Sequence, residues 1–130
     1  MKRAGFTLVV DDDECVRTSL QALLEIHGHS VVLAEDIPGA IRQLAFGIPE
    51  LLICDYMLNR QTPEPITALP AFDRIPRRIL LTGHEANELD VNVANRFSMV
   101  INKANGQAEL LAVIRQSNSV LESVQDRLAS

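Results

Sequence analysis

"LVVDDDE" (Leu8–Glu14) runs from apolar residues straight into three consecutive aspartates and a glutamate. Like charges repel, so crowding four acids at the end of a buried strand costs folding free energy. Two arrangements accept that cost: an exposed acidic turn that caps the next helix, or a site where acids converge on a divalent cation. Asp13 and Glu14 stand where a helix N-cap and first turn belong, and both positions favour acids. Asp11 and Asp12 lie too far back against the strand for capping and are read as site residues.

Outward from this stretch, short apolar runs alternate with longer segments of helical period. "FTLVV" (Phe6–Val10) reads as a buried strand. Val16, Leu20, Leu23, Leu24 and His27 then recur at helical spacing, and Gly28 offers a stop. "SVVLA" (Ser30–Ala34) is the second strand, and "IPGAIRQLAFG" a second helix with Pro38 in its first turn and Gly47 beyond its end. "ELLICD" (Glu50–Asp55) is apolar enough for a strand covered on both faces. "RRILLTG" (Arg77–Gly83) and "SMVINK" (Ser98–Lys103) complete five strands, with a helix expected in "EANELDVNVANRF" between them. Pro63, Pro65 and Pro70 make the segment after the third strand short or irregular. Strands alternating with helices imply right-handed crossovers and a parallel sheet covered on both sides. Five such units fit an α/β, flavodoxin-like (βα)5 doubly wound fold, with strand order 2-1-3-4-5.

With 130 residues, 47% of them hydrophobic, the chain is expected to form one domain, its core spanning about 5–117 and a helical extension about 118–130. A net charge of −5 argues against direct nucleic-acid binding. The sequence has no apolar run of the roughly 18 residues a membrane helix needs, and its N-terminus lacks a signal-peptide pattern. The expectation is a cytoplasmic protein. Cys15 and Cys54 lack metal-type spacing and read as buried or half-buried free thiols. His27, His29 and His84 have no ligand-like partners in sequence, and Tyr56 reads as groove wall.

In a doubly wound sheet, functional residues gather at the C-terminal ends of the strands. Those ends carry Asp11 and Asp12, then Asp55, Thr82 and Lys103. Three converging carboxylates must bind a hard cation or have raised pKa values. A hydroxyl and an ammonium beside them suit the oxygens of a phosphoryl group, and Mg²⁺ (or Mn²⁺) would offset the charge.

In this order, "LVVDDDE", "LLICDYML", "ILLTG" and "VINK" resemble the receiver domains of two-component response regulators, over essentially the whole chain. The resemblance implies that Asp55 accepts a phosphoryl group from a kinase phosphohistidine. It implies that Asp12 binds Mg²⁺ directly, Asp11 chiefly through water, and that Asp55 and the Met57 backbone carbonyl complete the metal set. Thr82 matches the switch hydroxyl and Lys103 the phosphate-pairing lysine, while Met57, Gly83 and His84 flank the site. The implied partners are a histidine kinase or histidine phosphotransfer domain and an output protein or attached domain. The chain is then a phosphoacceptor rather than an enzyme. "LLICDYML" and the proline-bearing loop also resemble receivers attached to hybrid histidine kinases.

Three features depart from the family pattern. Val100 stands where an aromatic is usual, so the familiar inward rotation of that ring is missing. Ala104 follows the lysine where a cis proline is usual, and a trans bond is expected because a cis bond before a non-proline residue costs about 2.5–4 kcal/mol. Asn59 and Pro63 stand near the usual Pro and Gly of the loop after Asp55, so "NRQTPEP" is expected to follow its own path. These departures leave open a pseudo-receiver that acts as an interaction module without being phosphorylated. A flavodoxin-like nucleotide binder would need a Gly-rich or Ser/Thr-rich phosphate loop where "DDDECV" stands.

The last helical pattern continues from about Gln107 toward Leu128. Leu110, Ile114, Ser117, Leu121, Val124 and Leu128 are spaced like a coiled-coil seam. The first two are expected to face the domain's own core, and the rest to pair with a second copy, as a homodimer, or with an attached domain.

Overall fold

The computed structural model describes residues 5–115. Five parallel strands, β1 (Phe6–Val10), β2 (Ser30–Ala34), β3 (Leu51–Asp55), β4 (Arg77–Thr82) and β5 (Met99–Asn102), form one sheet in the order β2-β1-β3-β4-β5. This is the doubly wound sheet expected from the alternating pattern, with strand ends shifted by at most one residue.

Side chains alternate across a strand, so each run of apolar residues feeds two cores. Leu8, Val10, Leu52, Cys54 and Leu80 pack on one face with Ala40 and Leu44 of helix α2 (Ile37–Phe46), and with Ile66, Phe72 and Val93. Val9, Leu51, Ile53, Ile79, Leu81 and Ile101 pack on the other face with Leu20 and Leu24 of helix α1 (Glu14–Ile26). The final helix, α5 (107–115), closes that second face with Leu110, Val113 and Ile114. The first two residues of the predicted seam, Leu110 and Ile114, therefore face the core. Ser117, Leu121, Val124 and Leu128 lie outside the described residues. Among those described, no helix is long and apolar enough to cross a membrane.

Local signals explain the helix ends. Asp13 caps α1, its Oδ1 accepting from the Cys15 and Val16 amides at 2.8 and 3.4 Å, and Glu14 lies in the first turn. Gly28 supplies the φ of 88° that ends the α1 turn. Asp36 caps α2, accepting from the Gly39 amide at 2.7 Å.

The proline-rich segment is irregular as expected. It forms the single turn α3 (Glu64–Thr67) and a 3-10 turn, Pro70–Arg74. The helix expected across "EANELDVNVANRF" is not continuous. A 3-10 turn at Ala86–Glu88 and a one-turn helix α4 (Val91–Ala94) take its place. Asp90 divides them, because its side chain caps α4 by accepting from the Asn92 amide at 2.9 Å. Cys54 is buried as expected, but Cys15 is exposed, because it occupies the outward side of the first turn of α1.

Candidate functional site

The acids at the strand ends are brought together. Asp11 follows Val10, and its amide continues the β1–β2 ladder by donating to the Ala34 carbonyl at 3.1 Å. Its side chain is buried, with Oδ1 accepting from the Asp13 amide at 2.9 Å. Asp12 is exposed and reaches across to the β3 loop, where Oδ2 accepts from the Asn59 amide at 2.9 Å. Asp55 closes β3 and is almost fully buried. One carboxylate oxygen from each of Asp11, Asp12 and Asp55 lies within 4.8 Å of the others. Oxygens on opposite sides of one hard cation are about 4–5 Å apart, given metal–oxygen bonds of 2.0–2.6 Å. The three acids therefore fit a single hard cation.

Lys103, one residue past β5, stands between two of these acids. Its Nζ lies 3.2 Å from Asp11 Oδ2 and 3.2 Å from Asp55 Oδ1. Burial raises the Asp55 pKa first and the Asp11 charge raises it further, while Lys103 and a hydrogen bond from the Met57 backbone oppose the rise. For Lys103 burial acts downward, but the attractions of Asp55 and Asp11 together outweigh it, and the ammonium is held above its ordinary value. Burial, then the Asp55 and Asp11 charges, push the Cys54 thiol far above the usual thiol range, with Lys103 opposing. Cys54 is thus a packing residue and not a nucleophile.

A raised lysine pKa stabilises the fold fully below the unfolded value of 10.5 and loses that contribution as pH rises through the folded value. We therefore expect the wild-type chain to lose stability above that pH more steeply than Lys103→Met. At neutral pH the variant should be the weaker fold, because Asp11 and Asp55 then face each other without a cation. Urea melts of both proteins from pH 7 to 11 check this.

Thr82 is buried at the end of β4, and its hydroxyl is engaged by His84. Oγ1 accepts from the His84 amide at 2.9 Å and lies 3.3 Å from His84 Nδ1. Gly83 is exposed between them. Alternation along the strands accounts for this: Asp11, Asp55 and Lys103 follow the face of Val9, Ile53 and Ile101, whereas Thr82 follows that of Leu80. Met57 is half-buried and packs against the core on the α2 side.

The departures at the site have visible consequences. All peptide bonds among the described residues are trans, including Lys103–Ala104. The Lys103 amide still donates to the Thr82 carbonyl at 2.8 Å, and Asn102 Oδ1 holds the Ala104 amide at 2.8 Å. Val100 is partly exposed on the outer edge of the sheet. After β3 the chain makes a tight reverse turn in which Leu58 and Gln61 exchange backbone hydrogen bonds at 2.7 and 3.1 Å. Asn59 and Arg60 span that turn with φ of 52° and 67°.

Two contacts had no sequence signal. Arg17 donates to the Asp11 carbonyl at 2.7 Å and lies 3.9 Å from Glu35, holding the β1 loop from below. Tyr56 is buried in the core on the α2 side, but its hydroxyl also accepts from the Asp90 amide at 2.8 Å. A groove of about 300 Å³ opens beside Lys103 between α1 and α5, lined by Cys15, Leu20, Ile101, Gly106 and Leu110.

The family model described as "Response regulator receiver domain" matches residues 7–115, which carry all five strands and the acidic cluster. The chain belongs to the response regulator receiver family. The receiver is 45% identical over 53 residues to the response regulator MprA of Mycobacterium avium, a match covering 41% of this chain and 23% of that protein. The matched stretch is thus less than a quarter of that relative. Among solved structures, a CheY-like receiver domain protein from Methanospirillum hungatei JF-1 superposes with a TM-score of 0.75 at 22% identity, covering 93% of this receiver and 98% of that chain. The signal receiver domain of an HD domain-containing protein from Pseudomonas fluorescens Pf-5 gives 0.69 at 26% identity, covering 98% and 96%. As a response regulator receiver, the chain acts in two-component signalling.

Proposed function

We propose that Asp55 is the phosphoacceptor of this receiver, taking its phosphoryl group from the phosphohistidine of a histidine kinase or phosphotransfer domain. The observation that carries the reading is the convergence of Asp11, Asp12 and Asp55 on one point, with Lys103 bonded to two of them. An Asp55 carboxylate oxygen attacks phosphorus, the P–N bond breaks, and the departing imidazole keeps the bonding pair and takes up a proton. Asp11, Asp12, Asp55 and the Met57 carbonyl would hold Mg²⁺, which supplies charge neutralisation at the phosphoryl oxygens when bound. Lys103 is already beside Asp55, and with two of its three N–H groups on Asp11 and Asp55 it keeps one for an incoming phosphoryl oxygen. By analogy with other phosphorylated side chains the new group carries about −1.5 to −2 charge in place of the carboxylate's −1, and its oxygens beside Thr82 and Lys103 bias the α4 and β5 region toward a second arrangement. An output protein or attached domain reads that change. The chain is an acceptor that turns over only its own phosphoryl group, not an enzyme acting on a pool of substrate.

Incubation with Mg²⁺ and a small phosphodonor such as phosphoramidate, followed by intact-mass measurement, tests the reading. One phosphoryl increment that maps to Asp55 supports it. No increment with any donor favours an interaction module that works unphosphorylated. The lifetime of the label is a second expectation. Met57 has no group that can orient a water by hydrogen bonding, so Met57→Asn should shorten the lifetime several-fold.

A further inference from the structure

Val100 removes the aromatic ring that this site would otherwise use to report the state of its switch hydroxyl, yet Thr82 is not isolated. Its Oγ1 accepts the His84 amide at 2.9 Å and lies 3.3 Å from His84 Nδ1, where the ring tautomer protonated at Nε2 accepts the hydroxyl hydrogen. The His84 ring stands edge-on to Tyr56, with centroids 5.5 Å apart and planes at 70°. Tyr56 is buried, and its hydroxyl accepts the Asp90 amide at 2.8 Å. Asp90 is in turn the N-cap of α4. A continuous run of contacts therefore leads from the switch hydroxyl, through two rings, to the start of the short helix that breaks the β4–β5 connection.

We infer that His84 is a positioning residue that competes with the phosphoryl group for the Thr82 hydroxyl and, through Tyr56, couples that hydroxyl to α4. The competition rests on Asp55 being the phosphoacceptor; the coupling to α4 does not. Without a phosphoryl group, the hydroxyl is turned to His84, the ring is seated against Tyr56, and the Asp90 amide is held. When a phosphoryl oxygen takes the hydroxyl, His84 loses its partner and the edge contact loosens. The Tyr56–Asp90 hydrogen bond weakens with it. Tyr56 and His84 thus take over a task that Val100 cannot perform, by a route on the opposite side of β4 from β5.

Three variants separate the parts. Thr82→Val removes the hydroxyl. His84→Phe keeps a ring against Tyr56 but has no atom for the hydroxyl, and His84→Asn keeps a hydrogen-bonding atom but no ring. The readout is amide hydrogen exchange at Asp90, measured on the full chain by NMR or fragment mass. In the unphosphorylated protein, Thr82→Val should speed exchange at Asp90 about threefold, the low end of net hydrogen-bond strength for an exposed pair. In the His84→Phe background the same substitution should speed exchange clearly less, because the ring's part of the link is already cut and only the backbone amide's bond to Oγ1 is lost. Additive effects of the two substitutions would overturn the link.

With Mg²⁺ and phosphoramidate, the wild-type chain should show a similar rise at Asp90, and both His84 variants should show none. His84→Phe should also take up label about threefold faster than wild type, whereas His84→Asn should match it, since only the phenyl ring frees the hydroxyl. A phosphorylation-dependent rise that persists in His84→Phe overturns the coupling. If the wild-type chain takes up no label while Thr82→Val still loosens Asp90, the phosphoacceptor assignment and the competition fall, and the hydroxyl-to-α4 link is supported.

Discussion

Asp55→Asn should abolish phosphoryl uptake and leave the folded chain at least as stable as wild type at neutral pH. The first half follows from chemistry: a carboxamide oxygen lacks the negative charge that attacks phosphorus. Asp11 and Asp12 are not substitutes, since Asp11 is buried and bonded to Lys103 and the Asp13 amide, and Asp12 is bonded to Asn59. The second half follows from the raised Asp55 pKa, caused by burial and the neighbouring Asp11 charge. A carboxylate whose folded pKa is raised binds its proton more tightly in the fold, so its ionisation works against folding. That penalty is absent below the ordinary aspartate value of 3.8, grows as pH rises toward the folded value, and is complete above it. Asparagine removes the penalty at pH 7 and gains nothing at pH 3. Lys103 keeps Asp11 as a partner in the variant, at 3.2 Å. Radiolabel or intact mass reads the first effect, and urea melts at pH 3 and pH 7 read the second. A variant that labels as fully as wild type would remove Asp55 from the chemistry.

Gly106→Ala should destabilise the domain by about 2–3 kcal/mol, the upper range for forcing an extra methyl into a packed site. A Cβ at Gly106 would collide with Ile101 Cγ2 and would stand 2.6 Å from the Asn102 carbonyl oxygen. The Gly106 amide donates to that same carbonyl at 2.8 Å, so backbone must move to admit the methyl. Ile101 is buried in the α1–α5 core and cannot turn away. Lys103 lies between the two clashing elements, so the shift should also disturb its bonds to Asp11 and Asp55. Gly83→Ala is the control: its added Cβ meets nothing within 4 Å, and its stability should change by less than about 0.5 kcal/mol. Equal denaturation midpoints for the two variants would contradict the assigned packing.

Much of this was legible in the sequence, and the reasons differ by residue. Short continuous apolar runs located the strands, which are covered on both faces, and period-3.6 patterns located α1 and α2, which bury one face. The convergence of the acids was legible because Asp11, Asp12 and Asp55 stand at the ends of apolar strands, which a doubly wound sheet gathers at one edge. The β4–β5 connection was misread. "EANELDVNVANRF" carries helical spacing, but Asp90 offers its side chain to the Asn92 amide and starts a new helix there. Local capping defeated a weak period. The orientation of the Thr82 hydroxyl was invisible, since it depends on which of two nearby groups, His84 or Asp55, the loop after β4 brings closer. Arg17 was likewise hidden, because a helix-borne arginine reads as surface until the strand behind it is placed. Exposure of Cys15 follows from its angular position in one helical turn, which its neighbours in sequence do not fix.

The seating of α5 has a mechanical consequence. At its last described turn the Ile114 carbonyl accepts from His29 Nε2 at 3.0 Å, so that nitrogen carries the proton and Nδ1, 3.2 Å from Thr7 Oγ1, receives the hydroxyl's. The Val113 carbonyl is held by Arg77 at 3.3 Å. Residue 115 is thereby pinned to the strand-starting edge of the sheet, at β1, β2 and β4 together. Five-residue strands run about 17 Å, so the pin sits a sheet's length from Asp55. Tension applied at residue 115 would load three strands in parallel before it could peel the helix. β1 carries Thr7 at that anchor and leads directly to Asp11, so the acidic end and the seat of α5 share one strand.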